Sequence, residues 1–186
     1  MLVRLQAALS QFPDQVNVPN SAGWTPLRYV VQIGAKELGD EFASQAVEIL
    51  LHAHARPDIA AREGGMAPIH RAARSGMLKT ILTFFRHSPD TVNLRTNKGL
   101  TVLHYVAQWP TNKFPDLKEV LHDLVIDGVT KDGNTAAHYA GACRRRETLD
   151  YLYSLGFRRD LRNACGFTPE DKFRGRGRII DGDISD

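Results

Sequence analysis

Cysteine is scarce: two residues in 186. Two thiols make no disulfide framework, so a reducing compartment is expected. Long apolar runs are missing. None exceeds three residues, and the opening Met-Leu-Val is broken at Arg4, so neither a bilayer-spanning helix nor a secretory h-region is present. Charge of one sign is also in short supply. The 24 Lys and Arg against 21 Asp and Glu leave +3, too little by itself to announce a nucleic-acid binder. The chain lacks Gly-x-Ser-x-Gly, a phosphate-cradling Gly-rich loop and His-Glu-x-x-His. Cys143 lies five residues after His138, a poor reach for a base on one helix. No catalytic role, metal or cofactor is expected. Hydrophobic residues at 42% and charged residues at 24% are what a globular chain carries.

What the chain has is repetition. Thr25-Pro26-Leu27-Arg28-Tyr29-Val30 is answered by Ala67-Pro68-Ile69-His70-Arg71-Ala72, Thr101-Val102-Leu103-His104-Tyr105-Val106 and Thr135-Ala136-Ala137-His138-Tyr139-Ala140, with a weaker copy at Thr168-Pro169-Glu170-Asp171. The copies start 42, 34, 34 and 33 residues apart, and a glycine lies two residues before each: Gly23, Gly65, Gly99, Gly133 and Gly166. A second pattern confirms the phase. Pro13-Asp14-Gln15-Val16-Asn17 matches Pro89-Asp90-Thr91-Val92-Asn93, and each proline precedes its Thr by 12 residues.

This pattern resembles the ankyrin-repeat family, whose unit carries Gly-x-Thr-Pro-Leu-His-x-Ala and forms a turn with two antiparallel helices. The resemblance runs from about residue 4 to 173. It implies an all-α solenoid of about four full units, near 20–61, 62–95, 96–129 and 130–162, with partial units at both ends. The repeat domain is then 1–173 and a flexible tail 174–186. Thr suits the N-cap of each first helix and Pro its first position. Second helices are expected over Ala46–Leu51, Lys79–Phe85, Leu117–Val125 and Thr148–Leu152. No unit can bury its own face, so the units must stack.

Several positions depart from the pattern. Arg28 stands for His, and Ala67 for Thr, which removes a cap of about 1 kcal/mol. About nine extra residues fall within Ala35 to Ser44, and Pro110 to Pro115 separate the helices of the third unit. The turn before Thr135 is short, so a stunted finger is expected there. The chain opens on a second-helix-like stretch, Leu2 to Leu9; that helix caps the stack or the chain is cut from a longer protein.

His70, His104 and His138 recur at 34-residue steps. Equivalent positions of packed helices lie about 8–10 Å apart, whereas zinc needs ligands at about 2.0–2.3 Å. The histidines therefore read as ties between units and not as metal ligands.

The resemblance also implies a protein partner on the concave side made by turns and first helices. Carried onto this chain, the residues after the turn glycines are Trp24, Met66, Leu100, Asn134 and Phe167, expected to be exposed. The facing first-helix residues are Gln32, Ile33, Arg74, Ser75, Gln108 and Trp109. Aromatic and Arg side chains are frequent hot spots. The rival reading is anion or nucleic-acid binding through the arginine-rich stretch from Arg144-Arg145-Arg146 to Arg174-Gly-Arg-Gly-Arg178, where ten cations meet five acids. The same three arginines would alternatively meet an acidic protein partner. A second rival is the regulatory segment of a larger enzyme. A monomer inside the cell, in cytoplasm or nucleus, or in a host cytosol for a delivered bacterial protein, completes the expectation.

Overall fold

The computed structural model describes residues 1–62, 64–109 and 128–177. Helices build all of its regular structure, and no strand occurs among the described residues. The expected helix Leu117–Val125 and the insertion at 110–115 lie outside them.

The chain divides into two compact units, residues 1–94 and residues from 95 onward. In the first, α1 (Leu2–Gln11) leads into a 3-10 turn (Pro13–Asn17), then α2 (Pro26–Ile33), a π-helical turn (Gly34–Leu38), α3 (Gly39–His52), α4 (Pro68–Arg74), α5 (Leu78–His87) and a second 3-10 turn (Pro89–Asn93). The second unit contains α6 (Val102–Val106), α7 (Ala136–Ala142), α8 (Arg146–Ser154) and α9 (Pro169–Phe173). Leu27, Val31, Leu50, Ile69, Ile81 and Phe84 are fully buried in the first; Tyr139, Leu149 and Leu152 are fully buried in the second. At Gly141 the helices approach so closely that a Cβ would collide with the Pro169 carbonyl.

Each first helix begins one residue after the Thr or Ala of the repeated motif. The glycine two residues earlier closes the turn at positive φ, from 65° at Gly65 to 82° at Gly99, which a side chain would resist. Thr25 Oγ1 accepts from the Arg28 amide at 3.3 Å, the expected cap. At Thr101 and Thr135 the hydroxyl instead meets the Nδ1 of His104 and His138 at 2.9 and 2.8 Å. The same Nδ1 atoms accept the backbone N–H of Thr101 and Thr135, each at 3.1 Å. At these two positions the hydroxyl donates to the ring, and threonine and histidine together close the helix start as a capping box. Ala67 has no hydroxyl to offer, yet its N–H still reaches His70 Nδ1 at 3.1 Å. The stunted finger does not occur. Thr130 N donates to the Asn134 carbonyl and Gly133 N to the Thr130 carbonyl, both at 2.9 Å, the closure also seen from Thr96 to Leu100.

The extra residues of the first repeat are helical. The chain passes from α2 through the π-helical turn and, at Gly39 (φ 80°), enters α3. Met77 precedes α5 and offers it no side-chain cap. The carboxylate of Asp40 supplies one from the insertion, accepting from Lys79 N at 2.8 Å, Thr80 N at 2.9 Å and Thr80 Oγ1 at 2.8 Å. Glu41 and Lys79 pair beside it. A carboxylate at the first turn of a helix also opposes its positive end.

Two helix exits use side-chain-bearing residues in the left-handed region. His54 (φ 63°) holds the place that Gly156 holds after α8, and Arg144 (φ 54°) the place that Gly76 holds after α4. Arg144→Gly removes the Cβ clash but enlarges the freedom of the unfolded chain. A net gain of about 0.5–1 kcal/mol is expected from these opposing effects, read as a higher urea midpoint. An unchanged or lower midpoint would show that the arginine side chain itself holds the turn.

Candidate functional site

The turns between repeats are the natural place for a binding surface, since they combine rigid closure with solvent access. Asn20 closes the first: its side-chain oxygen accepts from Ala22 N and Trp24 N, each at 3.0 Å, while Asn20 N donates to the Trp24 carbonyl at 2.9 Å. Asn163 does the same for the last, accepting from Cys165 N at 3.1 Å and Phe167 N at 3.0 Å.

Exposure differs from one turn to the next. Trp24 and Phe167 are half-buried. Met66, Leu100 and Asn134 are not exposed at all: they retain 7, 2 and 4% of their surface. The expected row of open tips is corrected at these three positions. The cause is visible in the second unit, where adjacent turns are stitched together by Lys131 N donating to the Lys98 carbonyl at 3.0 Å and Ala164 N to the Asp132 carbonyl at 2.9 Å. The Asn134 side chain is spent on Asn163, whose Nδ2 donates to its oxygen at 2.8 Å. Trp109 is likewise buried, at 6% exposure, where a rim position was expected.

The other residues named in advance lie as follows. Gln32 and Ile33 are half-buried on the last turn of α2, Arg74 is half-buried and Ser75 exposed. Gln108 bonds the His104 carbonyl at 2.9 Å. Arg146 is held by Asp150 and Glu170 at 3.0 and 3.1 Å. Arg145 is half-buried and Arg144 exposed. Pairing of Arg158 with Asp160 and of Arg176 with Asp171 neutralises more of the arginine-rich stretch.

The three histidines are fully employed. Nδ1 accepts from the helix start, so Nε2 carries the proton and donates: His70 to the Leu94 carbonyl at 2.8 Å, His104 to Asn134 at 3.1 Å and His138 to Phe167 at 3.0 Å. Burial pushes His70 and His104 down to about 4, and lowers His138 as well. Arg28, which replaces the first histidine, preserves the tie: its Nη1 donates to the Met66 carbonyl at 3.0 Å.

Burial raises the Cys143 thiol and pushes the Tyr153 phenol up to about 12, the opposite of what a nucleophile or base needs. Among the described residues no three His, Cys, Asp or Glu side chains gather as metal ligands. No described helix is long and apolar enough to cross a membrane.

One open groove stands out, in the first unit. It has a volume of about 470 Å³, and Val18, Pro19, Trp24, Pro26 and Tyr29 form its apolar walls. Tyr29 was not singled out from sequence, although its register foretells something unusual. It occupies the position of Tyr105 and Tyr139, which are 5 and 0% exposed, yet it leaves 48% of its own surface open.

A family model for ankyrin repeats, in three copies, matches residues 69–163, about half of the chain. No curated protein matches it.

Proposed function

This chain belongs to the ankyrin-repeat family, and from that premise we propose that it binds a partner protein through the first turn and the start of the first helix of its N-terminal unit. Ankyrin repeats serve in general as protein–protein interaction modules, and the role here is that of a scaffold, adaptor or inhibitor working by preformed shape. A rigid surface avoids much of the ordering entropy that weakens flexible binders.

The observation that carries this reading is the open groove of Trp24 and Tyr29. Both are residue types that dominate interface energetics, and both hold places where other repeats bury an apolar or aromatic side chain, Met66 and Leu100 for Trp24 and Tyr105 and Tyr139 for Tyr29. Two such anchors at roughly 2 kcal/mol each supply a sizeable part of the about 8 kcal/mol that a micromolar complex requires.

Affinity capture with the full chain beside a Trp24→Ala/Tyr29→Ala variant tests it. Partner bands lost with the variant, at an unchanged melting temperature, are the expected result. Partners retained in full would move the interface elsewhere.

A further inference from the structure

The contact between the first two repeats is chemically unlike the one between the repeats of the second unit. There, His104 and Tyr139 meet edge to face, ring centroids 5.5 Å apart. In the same register of the first unit stand Arg28 and Arg71. An aromatic pair has been replaced by two guanidinium groups, each half-buried. The Nε atoms of both are buried and have no hydrogen-bond partner, and neither arginine makes an ion pair with a carboxylate among the described residues. Burial lowers the affinity of Arg28 for its proton, and the charge of Arg71 adds to it; Arg71 is lowered by burial and by Arg74. Two like charges are held together here, with no counter-ion among the described residues.

The groove lies alongside. Trp24 belongs to both features: its ring lines the groove and carries the Arg28 guanidinium 5.5 Å from its centroid. Indole, phenol and two proline rings form an apolar surface of the kind that accepts an extended polyproline-type segment, which brings little ordering cost. A guanidinium pair asks for a planar, bidentate acceptor.

We propose that this face takes an extended, proline-containing segment of the partner protein, with an Asp or Glu carboxylate of that segment seated between Arg28 and Arg71. The inference rests on the protein-binding reading above and specifies the chemistry of its ligand. Charge complementarity selects the occupant: an apolar segment alone leaves the two guanidiniums uncompensated, and a basic one adds to their repulsion.

Selection of a random peptide phage library on the immobilised full chain tests it. The expected consensus combines proline with an acidic residue at fixed spacing. Synthetic peptides of that consensus should lose affinity by about tenfold or more on Trp24→Ala or Arg71→Glu, the loss of one hot-spot contact. Arg71→Glu should in turn favour the peptide whose acid is replaced by Lys. That rescue separates lost recognition from lost folding, and the Arg71 side chain makes no hydrogen bond among the described residues whose removal would unfold α4. Peptides that bind equally to the wild type and both variants would overturn the inference while leaving protein binding intact. Absence of any selected peptide, displacement of the peptides by oligo(dT), or concentration-dependent dimerisation blocked by Trp24→Ala would also overturn it, in favour of no peptide ligand, a nucleic acid or a second copy of the chain.

Discussion

Lowering the pH from 6.5 towards 4 should strip several kcal/mol from the stability of the fold, a loss that sets in before the carboxylates protonate. His70 and His104 are held neutral in the folded chain, with affinities for the proton pushed down to about 4 from the ordinary 6.5. Their folded values lie below their unfolded ones, so across this window the unfolded chain binds more protons than the folded one. Stability is therefore fully present above 6.5 and drains as the pH falls through the window. A fall from 6.5 to about 4 corresponds to about 3 kcal/mol for each ring once it is complete. His138, shifted in the same direction, adds to the effect. Urea midpoints measured at steps between pH 7 and 4.5 check this, with His104→Gln as a variant in which one contribution is missing. Midpoints that stay level over this range would mean that the rings already carry charge in the folded protein.

Trp109→Ala should cost about 3–5 kcal/mol, the penalty of emptying a large buried site. Leu103→Ala, at 3% exposure, calibrates the measurement with about 2–5 kcal/mol. Position 109 reads as a surface anchor from sequence alone because Pro110 follows it. Its burial reverses the expectation: equilibrium unfolding, not partner affinity, is where the substitution should register first. A Trp109→Ala protein with wild-type unfolding behaviour and weakened capture of the partner would restore the surface role.

The periodic part of the fold was legible in the residues. The Pro-Asp-x-Val-Asn pair becomes two 3-10 turns, Pro13–Asn17 and Pro89–Asn93, and the motif copies set where α2, α4, α6, α7 and α9 begin. These features depend on neighbours a few residues away, which a linear reading sees. Exposure at the tips was not legible, because it depends on how one turn lies on the next. Met66 and Trp24 hold equivalent positions with equally apolar side chains, yet one is 7% exposed and the other lines an open groove. Arg71 could have been flagged beside Arg28, since it departs from the Tyr of the later copies. Asp40 could not. Nothing local ties it to amides about forty residues ahead, and an inserted segment reads as a loop until the helix it serves is seen.

That long reach sets how the N-terminal unit comes apart. Stacked repeats ordinarily fray from an end, one hairpin at a time, because each leans only on its neighbour. Here the start of α5 is bolted by a side chain from the first turn of α3, so opening the earlier hairpin leaves the amides of Lys79 and Thr80 bare. The two hairpins are bound to unzip as one cooperative block, and hydrogen exchange at those amides will keep pace with the loss of α3.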